Sequence, residues 1–348
     1  MIVDKRFCMS SYLMFRTIVN REKTFFDGAQ PRLWDANRSY VDIHDSVELE
    51  DHLRRRVHQV MQSGKKYALA LSGGIDSAIL AKFMPAGSKA YTFKCVVPGV
   101  QVTDETPQAA RYAAECGLEH EVVEIYWEDF EKYAPLLMKH KGAPMHSIEV
   151  QIYKAALRAK ADGFDGMLFG ESADGKYGGM SGLLSKDWTL GEFVNRYSYV
   201  LPYMVLRDFE LIVEPYVRHM KADGRVEVHE FMNDVFFKES IGSYANATDT
   251  AGMELCCPFS ETMMAVPLDY ERIRRGENKY LVREIFNRLY PGWETPAKVP
   301  MPRPMNEWFA RWEGPTRPEF YPHCTDNMTG DQKWLVWALE QFLNSFES

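Results

Sequence analysis

From Tyr67 to Gly170, short unbroken apolar runs alternate with segments whose apolar positions recur every three or four residues. The runs YALALS, KAYTFKCVV, HEVVEIYW and DGMLFG read as strands, and SAILAKFM, DETPQAARYAAEC, WEDFEKYAPLLMKH and SIEVQIYKAALRAKA read as helices. A strand covered on both faces has no polar side to alternate with. The pattern therefore predicts an α/β fold: a parallel sheet of about five strands covered by helices, Rossmann-like in layout. Ahead of it, Val47, Leu49, Leu53, Val57, Val60 and Met61 recur at helical spacing, and Gly64 is placed to close that helix. Beyond about Lys176 the chain turns aromatic and Met-rich, and residues 188–212 and 228–247 are expected to form helices packed against the sheet. Prolines make residues 290–308 a loop, and DQKWLVWALEQFLNSF supplies a last helix. Three parts follow: an extension over 1–60 packing on the core, a main domain over 61–304 with its sheet up to about residue 180 and a helical portion after it, and a tail over 305–348.

Charge narrows the class of partner. The net charge of −8 offers no general attraction to nucleic acid or to an anionic membrane, so any phosphate must be held by a local site. Charges at Asp4, Lys5, Arg6 and Arg16 interrupt any signal-peptide core, and no apolar run reaches the ~18 residues of a membrane span. The six cysteines contain no C-x-x-C pair, which argues against structural zinc or a dithiol redox centre and fits reduced thiols in a cytoplasmic protein.

Two loops carry the candidate chemistry. Ser72-Gly73-Gly74 follows an apolar strand and leads into a helix beginning near Asp76 and Ser77. Glycines there let the backbone approach a ligand, and a helix start aims free N–H groups at an anion. A tight turn capped by Asp76 accounts for the same residues. The second loop, GESADGKYGGM, again sets glycines and acids past a strand. Ligands on parallel sheets sit at the carboxyl ends of strands, so Asp76 and Asp174 could converge on Mg²⁺, with Glu171 beside them as a proton acceptor. A solvent-exposed acidic turn is the alternative.

These residues also carry a resemblance. LSGGIDSA resembles the SGGxDS pyrophosphate loop of the ATP-pyrophosphatase superfamily, which includes asparagine, β-lactam, GMP, NAD and argininosuccinate synthetases. TDETPQAARYAAECGLEHEVVEI, GESADGKYGG, AGMELCCPFSETMM and the ENKYLVREIF…PAKVPMP segment are similar, in order, to later segments of the asparagine synthetase domain, over about Val47 to Pro304. The resemblance implies an adenine nucleotide α-hydrolase-like fold and an enzyme that adenylates a carboxylate with Mg-ATP, releases pyrophosphate and lets ammonia or an amine attack. It places Leu71, Ser72, Gly73, Gly74, Asp76, Ser77, Phe93, Gly170 and Lys279 at ATP and pyrophosphate, Asp76 and Asp174 at magnesium, and Lys298 with Glu171 at the reacting acyl group.

The departures from that pattern shape the expectation further. Ile2 stands where glutamine-dependent relatives carry a nucleophilic Cys, and only some 60 residues precede the matching portion. Ammonia or an amine would then come free or from a separate glutaminase. Gly175 replaces an acid, Cys256 replaces an Arg, and Ser260-Glu261 replace Leu-Asp, a region bordering the substrate in relatives; the acceptor is thus expected to be a small carboxylate other than aspartate, such as a carboxylated sugar or modified amino acid. His146 is a candidate substrate contact or a packed histidine, Cys256-Cys257 a reactive or packed pair, and the tail tryptophans a lid, a homodimer surface or core. The competing readings are another enzyme of the superfamily, inserting sulfur or amidating a cofactor, and a non-catalytic nucleotide-binding relative.

Overall fold

The computed structural model describes residues 1–32, 34, 39–297 and 301–347. Its central sheet consists of β1 (Tyr67–Ala70), β2 (Lys89–Cys95), β3 (Glu119–Ile125), β4 (Gly166–Leu168) and β5 (Glu254–Cys256), all parallel, in the order β3-β2-β1-β4-β5. The chain builds outward from β1 through β2 to β3 and then returns to the other side of β1 to lay down β4. Strand order therefore reverses between β1 and β4. At such a switch the connections leave in opposite directions and open a crevice at the strands' carboxyl ends. The register pairs Leu69 with Leu168, which sets the ends of β1 and β4 level, so the loops starting at Leu71 and Phe169 leave the sheet side by side.

Helices α1 (Lys5–Phe15), α2 (Ser46–Met61), α3 (Ile75–Phe83), α4 (Thr106–Glu115), α5 (Trp127–Lys141), α6 (Ile148–Ala161), α7 (Phe237–Ala251), α8 (Tyr280–Leu289) and α9 (Gly330–Phe346) surround it. One layer is α2, α3, α4 and α8; the other is α5, α6, α7 and α9. In α2 the Asp45 carboxylate caps the free amides of Val47 and Glu48, and Leu49, Leu53, Val57 and Val60 are buried. Val47 is exposed, one position off the apolar stripe, and the helix ends at Met61, before Gly64.

The structure corrects several expectations. The fifth strand lies far beyond residue 180: β5 comes from the ELC of the segment before Pro258, too short to register as a strand by pattern. Helix over 188–212 is confined to Leu190–Tyr197 and a turn at Pro202–Met204, because Pro202 removes a backbone donor and the residues after it run irregularly. Residues 228–251 form one helical run containing a π-turn at Met232–Phe236. Among its described residues, the proline-rich loop contains one short helix, Met305–Trp308. In residues 1–60, Phe7 through Phe15 are all buried, and Val41–Ile43 pairs in parallel with Thr262–Met264. Trp334 is buried against Phe130 and Trp337, while Trp293, Trp308, Trp312 and Trp337 are half-buried and pack against the core. Among the described residues no helix is long and apolar enough to cross a membrane.

Candidate functional site

The turn from β1 into α3 is tied to itself by its two serines. Ser77 Oγ accepts from the Ser72 amide at 3.0 Å and lies 3.0 Å from Ser72 Oγ, which in turn accepts from the Gly74 amide at 3.2 Å. Gly74 is the residue that caps α3. Asp76 is therefore not the cap; it lies in the first turn, where the helix's positive end favours its charge. The β4 loop presses against this turn because residue 170 has no side chain: a Cβ there would stand 2.9 Å from both Asp76 Cβ and the Ser77 amide nitrogen. A Cβ on Gly179 would stand 2.1 Å from Asp174 Oδ1. The two glycines are what allow the acidic loop and the serine loop to share one space.

Between the loops sits Lys279. Its Nζ is 2.5 Å from Asp76 Oδ2 and 3.1 Å from Asp174 Oδ1. Burial works against its charge, but the two carboxylates outweigh that and hold the ammonium's pKa above its ordinary value. Lys279 has φ +54, a left-handed conformation unusual for a lysine, at the residue that caps α8. Local strain held by surrounding contacts is common at functional positions.

Glu171 is half-buried at the cavity wall. Burial raises its pKa, opposed by a 2.7 Å bond from Ser240 Oγ to Oε1 and by the Tyr244 hydroxyl. Ser240 and Tyr244 are four apart on α7 and so lie on one face. The spacing was visible in SIGSYANA, but nothing in it pointed to a carboxylate about 70 residues earlier. Glu105, another residue the sequence did not single out, accepts from the Gly73 amide at 3.1 Å. Burial pushes its carboxyl up to about 7, with the Gly73 amide pulling the other way.

A cavity of about 420 Å³ gathers these groups. Leu71, Ser72, Gly74, Asp76, Ser77, Phe93, Gly170, Glu171, Asp174 and Lys279 all line it, joined by Glu105, Tyr244 and Arg283. Gly73 lies behind Glu105, and Lys298 falls outside the described residues. Cys256, Ser260 and Glu261 do not line the cavity. Glu261 instead receives a bifurcated bond from Arg56 Nε, 2.9 and 2.8 Å from its two oxygens, and both cysteines are buried. Among the described residues, that departure from the family pattern lies outside the cavity's lining. His146 is packed as well: its Nε2 accepts from Arg16 Nη1 at 2.7 Å, and burial lowers its pKa to about 3. A second cavity, about 530 Å³, lies behind α7, where Arg218 and Lys238 are paired with Asp234 and Lys141 with Glu149.

The family model of asparagine synthase matches residues 48–328. The chain belongs to the asparagine synthase family. Membership makes it an ATP-utilising enzyme of the amidating kind. No curated protein sequence matches. Among solved structures it is similar to the NMN synthetase of Francisella tularensis, at 14% identity, covering 74% of this chain and 99% of that one with a TM-score of 0.28. The NH3-dependent NAD synthetase of Campylobacter jejuni gives 13%, 74%, 100% and 0.26, and the U34-tRNA thiolase of Methanococcus maripaludis 15%, 73%, 82% and 0.27.

Proposed function

We propose that this asparagine synthase family member is an AMP- and pyrophosphate-forming amide ligase: ATP adenylates a small carboxylate, and ammonia or an amine then displaces AMP. The observation that carries the reading is the convergence of Asp76 and Asp174 on Lys279 where strand order reverses. Two carboxylates facing one cation form a hard oxygen donor set, and Mg²⁺ takes one or two carboxylates while filling its remaining positions with phosphate oxygens and water. Asp76 and Asp174 would hold the ion, which would neutralise charge on the departing pyrophosphate. Ser72, Gly74 and Ser77 would cradle that pyrophosphate at the start of α3, with Gly73 shaping the turn while its amide is held by Glu105, and Lys279 would follow the charge as it grows. Leu71, Phe93 and Gly170 are assigned to the nucleotide. Glu171, held by Ser240 and Tyr244, would take the proton of the attacking amine, for which a raised pKa is suited. Lys298 is assigned to the acyl-phosphate oxygens.

The rest of the lining supports an acceptor with a single carboxylate. Ile148, Phe169, Met180 and Met301 are apolar, Tyr91 and Thr295 carry hydroxyls, and Arg283 donates from Nε and Nη2 to the Asn278 carbonyl and side chain at 2.7 and 2.6 Å. Among the described residues that composition favours an acid whose remainder is apolar or hydroxyl-bearing over a dicarboxylate such as aspartate. Substrate-dependent ATP–pyrophosphate exchange across a panel of acids, with aspartate included, tests both points. Exchange with a monocarboxylate and none with aspartate is expected; cleavage of ATP to ADP and phosphate would end the ligase reading.

A further inference from the structure

The serine loop already holds a carboxylate. Glu105 Oε2 accepts from the Gly73 amide at 3.1 Å, and Glu105 lines the cavity beside Ser72 and Gly74. An anion on a loop amide occupies the kind of position a phosphate oxygen would take. Packing keeps it there. A Cβ on Gly73 would meet Glu105 Cβ at 3.0 Å and Glu105 carbonyl oxygen at 3.4 Å, so the loop and the residue before α4 touch through backbone as well as side chain.

Resting on the ATP reading above, we propose that Glu105 is an affinity-setting residue of the nucleotide site: its side chain stays on Gly73 and is protonated when the triphosphate is bound. A neutral acid can stand against phosphate oxygens and donate to one of them, whereas an ionised one would repel them. The carboxyl is poised for this, since burial brings its pKa to about 7 in the nucleotide-free chain. The charged groups around it do not offset the effect. Adjacent Asp104 carries negative charge and has Lys94 as its partner at 2.8 Å, Gln108 on α4 is neutral, and across the cavity Lys279 is taken up by Asp76 and Asp174. Added phosphate charge pushes the same carboxyl further toward its protonated form.

The consequence is proton-linked nucleotide binding. Titration calorimetry with Mg-ATP and no acceptor, in two buffers of different ionisation enthalpy, compares the wild-type chain with Glu105→Gln and Glu105→Ala. At pH 7.5 the wild type is expected to take up at least about half a proton more than either variant. The ratio of Glu105→Gln to wild-type ATP affinity should rise about tenfold from pH 6 to pH 8, titration of ATP itself cancelling in the ratio. Equal uptake, or proton release by the wild type, would overturn the proposal and leave the ATP reading standing. Absence of ATP binding by all three proteins would overturn both. Where one variant folds poorly, the other supplies the comparison.

Discussion

Lys279 is where single side chains matter most, because one ammonium answers two acids in a buried setting. Replacing it with Met leaves Asp76 and Asp174 facing each other without that cation. Breaking a buried ion cluster on one side costs roughly 3–5 kcal/mol. With Asp76 and Asp174 as magnesium ligands, the metal substitutes for the lost ammonium. The melting temperature of Lys279→Met should therefore fall in EDTA and recover with millimolar Mg²⁺ by a larger margin than the wild type's; an identical Mg²⁺ response would remove the metal from these residues. Gly179→Ala makes the complementary test. Its new methyl would stand 2.1 Å from Asp174 Oδ1 and 2.6 Å from Lys279 Cδ, so Asp174 must move. Displacement of about 1 Å can cost on the order of a hundredfold in rate, and ATP–pyrophosphate exchange is expected to drop by at least about tenfold. Asp76 and Asp174 were legible in the sequence because acids and glycines past a strand have a physical use there. The Glu105 contact was not, since nothing in a linear pattern says which residue a glycine is making room for.

At the scale of elements, the strands and helices from β1 to β4 follow from the apolar pattern, which tertiary context here reinforces. β5 escaped notice because three residues carry too little periodicity, and its place is decided by pairing of Gly166, Met167 and Leu168 with Glu254, Leu255 and Cys256. The turn after it shows the same dependence on tertiary context. Glu261, in the short helix Pro258–Glu261, is held by Arg56 of α2, which fastens the layer of α2 and α3 to the far edge of the sheet. Charge-assisted bonds of this type contribute about 2 kcal/mol. Glu261→Gln is expected to lower unfolding free energy by about that amount in denaturant titration while leaving exchange kinetics unchanged. A selective rise in KM for the carboxylate would instead return this turn to the substrate side.

Across the whole molecule, the N-terminal segment is joined to the second helical layer by a buried charge cluster, and this gives stability a defined pH dependence. Arg16, at the end of α1, donates to Glu239 Oε2 of α7 at 2.9 Å, to Tyr199 Oη at 2.5 Å and to His146 Nε2 at 2.7 Å. Since the guanidinium can only donate, His146 Nε2 must be the acceptor, and its Nδ1 faces Glu239 Oε1 at 3.4 Å. Burial, with Arg16 adding to it, lowers the imidazole's pKa to about 3, so the folded chain keeps His146 neutral. Burial alone would raise Glu239, yet Arg16 and His146 outweigh it and bring the carboxyl down to about 2. For both groups the folded pKa lies below the unfolded one, so the unfolded chain binds more protons and stability is lost on acidification. The windows differ: His146 gives up its contribution as pH falls from about 6.5 toward 3, Glu239 only from about 4.5 toward 2. Between pH 7.5 and 4.5, therefore, His146 acts alone of the two. His146→Asn keeps an oxygen to accept from Arg16 and removes the proton site. Whatever constant stability it loses, its unfolding free energy should fall less steeply than the wild type's over that interval, by about 2–3 kcal/mol, while the other titrating groups act equally in both. Parallel slopes would mean that His146 is not the buried neutral group joining the first helix to α7.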